Sequence, residues 1–241
     1  MNLVIFMDRM LKENGLDLCL SPYNVMATSL ESGFVEMVVP SITMSGLLSQ
    51  YKGGVQEYLR ILEFSPQGPQ ALSESRLENY VRSNAGYAAI TYILGVGDRH
   101  FDNILVTEEG KLFHIDFGFL FGNDPKPLPP LIRICKEMVD GMGGVNSENF
   151  KRFVELSAKA YIVLRNYSSV ISNYLSLMAT ASIAQLSLNP KASIQKVVKR
   201  FRLDLDEESA SQHMKSVISK SLKAVAPNIN EHFHKIAQTL K

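Results

Sequence analysis

One stretch of the chain concentrates side chains able to move a proton and hold a metal ion: Gly97-Asp98-Arg99-His100-Phe101-Asp102-Asn103, followed thirteen residues after Asn103 by Asp116-Phe117-Gly118. Between them lie a β-rich run at 104–107, a turn Glu108-Glu109-Gly110 and a second run at 111–116, the pattern of a hairpin. A hairpin returns the chain to where it began, so Asn103 and Asp116 are expected to meet at its open end. An amide oxygen and a carboxylate side by side form a half-site for Mg²⁺, which accepts a few protein oxygens and leaves its other positions to phosphates and water. His100 adds a side chain of the type that ordinarily titrates near neutrality and can accept a hydroxyl proton. The chemistry this set could do is attack of a hydroxyl on a metal-bound phosphate.

The elements that must position this set can be read from periodicity. Leu3, Phe6, Met7, Met10 and Leu11 share one face of a helix over 2–13, which Gly15 should stop. Two β-rich runs at 25–30 and 34–39 are joined by Glu31-Ser32-Gly33, and Pro40 ends the second. Segments 40–54 and 65–75, rich in Gly, Pro and Ser, read as loops around a short helix near 55–62. Residues 76–94 carry Leu77, Tyr80, Val81, Tyr87, Ala88, Thr91 and Leu94 at helical spacing, which predicts a long half-buried helix. A proline-bearing loop then runs to about Asp140. Beyond Gly144 the chain reads as helical, with Asn146 or Ser147 as N-cap and breaks near Pro190, Leu205 and Pro227. Asp206, Glu207 and Glu208 fall where the positive end of a helix dipole favours them.

Composition narrows the function classes. The 241 residues are 46% hydrophobic and 20% charged, an ordinary globular balance. Twenty-five Lys and Arg against 24 Asp and Glu leave a net charge of +1, so no global attraction to nucleic acid is expected. Cys19 and Cys135 have neither metal-ligand spacing nor a disulfide pattern, which fits a reducing, cytoplasmic setting. The apolar run at the N-terminus is too short for a signal peptide, and no stretch approaches the roughly 20 apolar residues of a membrane span.

Asp98 precedes Asn103 by five residues, the offset between catalytic aspartate and metal-binding asparagine in the H-R-D-x-x-x-x-N loops of kinases, although the order here is Asp-Arg-His. Taken together, G-D-R-H-x-x-N and I-D-F-G across a hairpin resemble the phosphatidylinositol 3-/4-kinase and related-kinase superfamily. The stretch from Asp116 to Pro130, D-F-G-F-L-F-G-N-D-P-K-P-L-P-P, and that from Lys136 to Gly144, K-E-M-V-D-G-M-G-G, are most similar to class III phosphatidylinositol 3-kinases. The resemblance implies an α+β, protein-kinase-like fold: a mostly α-helical large lobe with a short catalytic β-hairpin, plus the last small-lobe helix and strands. Residues 1–39 would end the small lobe and form the hinge strand. Residues 40–241 would be the large lobe, with catalytic loop 95–103, activation loop 116–140 and a C-terminal amphipathic helix at 228–241.

By the same resemblance Asp98 and His100 would be the catalytic pair, and Asn103 and Asp116 the ligands of Mg²⁺, with Mn²⁺ as a substitute. ATP would be held at its adenine edge by the carbonyl of Glu36 and the N–H of Val38. The expected activity is phosphorylation of the inositol ring of phosphatidylinositol, at the 3-hydroxyl, peripherally on endosomal or autophagic membranes. A regulatory pseudokinase scaffold and coiled-coil autophagy or endosomal subunits would be the partners. In such kinases a phosphate-covering loop and an ATP-binding lysine lie on strands before the first helix seen here, and no G-x-x-x-x-G-K-[ST] loop replaces them. A non-catalytic truncated fragment, a phosphatidylinositol 4-kinase and a related protein kinase are therefore alternatives.

The activation loop bears on substrate. Lys126, Arg133 and Lys136, the candidate headgroup contacts, are matched by Asp124, Glu137 and Asp140, too sparse a basic set for a polyphosphorylated headgroup. Pro125, Pro127, Pro129 and Pro130 favour an extended strap. Ile229, Phe233, Ile236, Ala237 and Leu240 share a helical face that serves equally for docking on the protein body or for a membrane interface. Arg99 is expected to be structural, pairing a carboxylate, and His114 to be a hydrogen-bonded core residue. Lys196, Lys199, Arg200 and Arg202 read as a solvated helix face.

Overall fold

The computed structural model describes residues 1–29, 32–61, 64–65, 68–69, 74–179 and 189–225. Helix α1 (Asn2–Glu13) leads into a hairpin of β1 (Val25–Ala27) and β2 (Gly33–Val35), then β3 (Ser41–Thr43), α2 (Met44–Gln50) and α3 (Gly54–Ile61). A two-residue pair, β4 (Phe64–Ser65) with β5 (Gly68–Pro69), precedes the long α4 (Glu74–Leu94). A single 3-10 turn (Phe101–Asn103) introduces β6 (Ile104–Thr107) and β7 (Leu112–His114). Among the described residues five helices follow: α5 (Lys136–Gly141), α6 (Glu148–Asn166), α7 (Ser168–Met178), α8 (Pro190–Arg200) and α9 (Glu207–Val225). The region 228–241, expected to hold an amphipathic helix, lies outside the described residues, as does Pro227.

Helix α4 is the axis. From Tyr80 onward every residue to Leu94 is buried apart from Arg82, so the half-buried expectation is corrected. A helix apolar or small on every side must be enclosed, and the small residues let neighbours approach: a Cβ at Gly86 would lie 2.7 Å from Leu20 Cδ2. Most of its buried polar side-chain atoms bond locally, although Asn84 Oδ1 has no partner among the described residues. Asn84 Nδ2 donates to the Tyr80 carbonyl (2.7 Å) and Thr91 Oγ1 to that of Tyr87 (2.6 Å). Ser83 Oγ bonds the Asn79 carbonyl and accepts from Leu112 N–H at 2.8 Å, which fastens β7 to the helix. On the far side α6 packs along α4, with α9 and α1 against α6. Fully buried Tyr80, Tyr161, Phe150 and Phe153 fill that layer, each large apolar side chain contributing about 1.5–3 kcal/mol relative to exposure.

The β6–β7 hairpin is the central and edge part of a three-stranded antiparallel sheet in the order β3-β6-β7. Strand β3 and helix α2 replace the loop expected over 40–54. Three residues are too few for a periodic signal, and the helix starts without a gap because Thr43 Oγ1 caps Gly46 N–H at 3.0 Å. The β1–β2 hairpin is shorter than expected, and Gly33 falls inside β2, where a Cβ would come within 2.6 Å of the Met26 carbonyl oxygen. Helix α5 begins inside the segment expected to be loop up to Asp140. Ser147, one of the two candidates, caps α6 by accepting from Phe150 N–H (3.1 Å), and Asp206 accepts from Ser209 N–H (2.7 Å) at the start of α9.

Two side-chain expectations change. Lys196 and Lys199 are exposed, but Arg200 is half-buried against Gly95 and Gly122, with Nη1 unpaired among the described residues. Arg202 pairs with Asp204 and reaches His213. Both cysteines are free thiols, and burial pushes Cys135 up to about 12. No helix among the described residues is long and apolar enough to cross a membrane.

Candidate active site

The pairing of β6 with β7 sets Ile104 opposite His114 and Leu105 opposite Phe113. One more bond, from Ile115 N–H to the Asn103 carbonyl at 3.1 Å, carries the ladder past the strand ends. Asn103 and Asp116 therefore stand at the mouth of the hairpin. Asp116 has φ +55 and breaks the alternation of the strand, while its Oδ1 accepts from Gly118 N–H at 3.0 Å. Asn103 is 6% exposed, and its Nδ2 donates to the Asp98 carbonyl at 3.0 Å. That bond orients the amide and leaves Oδ1 without a donor among the described residues. One open amide oxygen and an exposed carboxylate are hard donors of the type Mg²⁺ takes, so the pair could hold a divalent ion shared with phosphates. No group of three or more His, Cys, Asp or Glu suited to a metal occurs among the described residues.

Asp98 sits at φ +52, a conformation rare outside glycine. Its carbonyl accepts from His100 N–H (3.1 Å) and its own N–H donates to Asp124 Oδ2 (2.9 Å). The His100 ring lies between two carboxylates, Nε2 3.9 Å from Asp98 Oδ2 and Nδ1 3.7 Å from Asp102 Oδ2. An imidazole that takes up a proton there finds an anion on either side.

Arg99 is structural as expected, but through carbonyls rather than a carboxylate. Nε donates to Gly97 O (2.8 Å), Nη1 to Ile115 O (2.6 Å) and Nη2 to Asp116 O, so one side chain ties the loop to the strand end. Its guanidinium also faces the Phe117 ring at 5.7 Å. Burial draws its pKa below the ordinary arginine value, opposed by Asp116 and Asp98. Beneath it His114 is buried and stacks on Tyr87 with centroids 5.0 Å apart. The expected core position holds, but Nδ1 has no hydrogen-bond partner among the described residues. Burial, with Arg99 adding to it, pushes this imidazole down to about 3.

A cleft of about 640 Å³ opens beside the hairpin mouth, lined among others by Asp116, Phe117, Phe113, Tyr23, Glu36 and Val38. The Glu36 side chain is turned to Asn24, whose N–H and Nδ2 both donate to Oε2 at 2.8 Å. The Val38 carbonyl accepts from Ser41 Oγ at 2.5 Å. This leaves the Glu36 carbonyl and the Val38 N–H without partners among the described residues. Of the candidate headgroup contacts, Lys126 and Arg133 line a small crevice with Asp98, whereas Lys136 stands apart in α5, paired with Asp140. Arg133 lies over the Phe101 ring at 5.3 Å. The prolines do not hold an extended strap: Leu128, between Pro127 and Pro129, has φ +51 and turns the loop. Asp124 is the polar residue near the site that sequence reasoning gave no role, although the Asp-Pro step was itself a turn signal.

Comparison with known proteins fits this geometry. The family model for phosphatidylinositol 3- and 4-kinase matches residues 1–188. The chain is 41% identical over 236 residues to phosphatidylinositol 3-kinase VPS34 of Arabidopsis thaliana, covering 98% of this chain and 29% of that protein. It is 43% identical over 241 residues to phosphatidylinositol 3-kinase catalytic subunit type 3 of Caenorhabditis elegans (99% and 27%), and 38% identical over 236 residues to VPS34 of Saccharomyces cerevisiae (98% and 27%). The chain thus spans less than a third of the length of these curated relatives. With the motif-bearing hairpin, the cleft and the family match in agreement, the chain belongs to the phosphatidylinositol 3- and 4-kinase family.

Proposed function

We propose that these residues form the catalytic part of an ATP-dependent phosphatidylinositol 3-kinase, which transfers the γ-phosphate to the 3-hydroxyl of the inositol ring at a membrane surface. The observation that carries this reading is the meeting of two loops beside one cleft. Asp98 and His100 are bonded through Asn103 to the hairpin mouth, and Asp116 lines one cleft of about 640 Å³ together with Glu36 and Val38. Relatives named as phosphatidylinositol 3-kinases support the choice of lipid.

In this reading His100 takes the proton from the inositol hydroxyl as its oxygen bonds to the γ-phosphorus and the bond to the ADP oxygen breaks. Asp98 orients the hydroxyl and faces the charge that the imidazole acquires. Asn103 and Asp116 would hold Mg²⁺, or Mn²⁺ in its place, and a bound ion supplies charge neutralisation at the phosphates. The Glu36 carbonyl and Val38 N–H would meet the adenine edge. Lys126 and Arg133 would contact the phosphodiester, with Lys136 nearer the loop's stem. Two of these cations beside Asp98 suit a single diester phosphate better than a polyphosphorylated ring. Leu128, 99% exposed at the loop's turn, offers an apolar contact to the bilayer surface. Placement on endosomal or autophagic membranes, with a pseudokinase scaffold and coiled-coil subunits, is supported by the class III likeness alone.

The test is to incubate the full-length enzyme with labelled ATP, Mg²⁺ and vesicles with or without phosphatidylinositol, and to identify the phosphorylated ring position. A 3-phosphate made only with the lipid is the expected result; a 4-phosphate, or transfer to peptide alone, overturns the substrate assignment. His100→Ala should bind nucleotide normally and lose about 10² to 10⁴ in rate.

A further inference from the structure

We propose that Asp124, within the activation loop, is a positioning residue that holds Asp98 in its left-handed backbone conformation. The proposal rests on the lipid-kinase reading above, in which Asp98 serves the transfer.

A non-glycine residue at positive φ persists where its surroundings fix it on more than one side. The Asp98 carbonyl is held from within its own loop, by His100 N–H at 3.1 Å and Asn103 Nδ2 at 3.0 Å. Its N–H is held by one bond from outside, to Asp124 Oδ2 at 2.9 Å, 26 residues further on. The second oxygen of Asp124 accepts from Lys126 N–H at 2.8 Å, an Asx turn that fixes the carboxylate before it reaches across. An ionised acceptor makes this bond stronger than one between neutral groups.

The two segments are brought close enough by their backbones. Phe121 N–H donates to Leu94 O, Gly122 N–H to Gly95 O and Gly97 N–H to Phe119 O, each at 2.9 Å. Gly97 lies directly under the contact: a Cβ there would come 2.3 Å from the Asn123 carbonyl oxygen and 2.9 Å from Asp124 Oδ2. The activation loop thus reports its own conformation to Asp98. When residues 123–126 leave this turn, Asp98 loses the restraint on its N–H side. Asp124 does not border the nucleotide cleft, so the effect falls on turnover and not on ATP binding.

The test compares Asp124→Ala and Asp124→Asn in the full-length enzyme, with ATP and phosphatidylinositol vesicles for kinetics and hydrogen exchange for the Asp98 amide. Asp124→Ala should lower kcat on the order of 10²-fold, the loss typical of a misplaced reacting group, and leave KM for ATP within about twofold. The Asp98 amide should exchange faster while α4 amides do not change. Asp124→Asn keeps one oxygen acceptor and should recover to within about tenfold of the parent; if the alanine variant does not fold, a smaller kcat loss and faster Asp98 exchange in the asparagine variant decide. An unchanged kcat, unchanged Asp98 exchange, or an asparagine variant as impaired as alanine overturns the proposal. A parent enzyme that transfers no phosphate to the lipid overturns the lipid-kinase reading instead, and the exchange result alone then decides whether Asp124 holds Asp98.

Discussion

The 95–103 loop and the β1–β2 hairpin invert the usual relation between polarity and burial. Residues 95–103 are rich in glycine and charge, yet Arg99 is 7% and Asn103 6% exposed. In and after the β1–β2 hairpin, Phe34 is 68% and Met37 79% exposed although both are apolar. Buried polar groups must be paired, and the 95–103 loop meets that demand with bonds to carbonyls of its own backbone and of the strand end and to the carboxylate of Asp124. The hairpin carries one such contact, Asn24 donating to the Glu36 carboxylate, and otherwise brings Val35, Met37, Val38 and Val39 to the cleft. In the proposed reading, side-chain atoms are fixed where bonds would change, and main chain is left open where a flat ring would lie.

The contrast can be broken most directly at the hairpin mouth. Asp116→Ala in the full-length enzyme should reduce Mg²⁺-dependent transfer by about 10²- to 10³-fold, as removal of a group that stabilises developing charge does. A metal titration of ATP turnover checks it, and a parent-like rate would remove Asp116 from the site. Arg99→Ala leaves the carbonyls of Gly97, Ile115 and Asp116 without their buried donor. It should cost about 3 kcal/mol in urea unfolding, since each orphaned group carries a penalty of about 1 kcal/mol or more.

His114 sharpens the comparison through pH. Its folded pKa lies near 3, below the ordinary value of 6.5, so the unfolded chain binds the proton first. Stability from this group is complete above about pH 6.5 and is lost as pH falls toward 3, with a slope approaching ~1.4 kcal/mol per unit. His114→Phe keeps a ring against Tyr87 and should flatten that part of the unfolding profile between pH 7 and 4.5; an unaltered slope would show that other groups carry it. At the exposed hairpin, Phe34→Ser should change unfolding free energy by no more than about 0.5 kcal/mol. A larger loss in thermal or urea unfolding would mean that the apolar hinge strand is covered in solution.

The family and the hairpin were more legible than the elements around them. Strand β6 falls where alternation places it, and Asn103 and Asp116 stand at the hairpin mouth because a hairpin brings its two ends together. Strand β3 and helix α2 escaped because three residues carry no period and the helix begins at a threonine cap without an intervening turn. Arg99 was assigned a carboxylate because charge suggests charge, yet its partners are carbonyls exposed only where two loops cross, which no spacing encodes. The full enclosure of α4 is visible in its composition, since Ala85, Gly86, Ala88 and Ala89 leave no polar face, but amphipathic reading looks for one. Arg200 looked solvated among neighbouring basic residues, and only the folded chain sets it against two glycines.

Ser221, far along α9, donates from Oγ to Ile132 O at 2.8 Å and accepts from Ile134 N–H at 3.1 Å, both buried. The trailing end of the segment 116–140 is therefore moored to the last described helix, while its leading end is moored by Arg99 and Gly97. A pull, twist or covalent change applied to α9 travels to the stretch carrying Arg133 without passing through the hairpin, so the C-terminal helix and the hairpin mouth hold the loop by separate ropes.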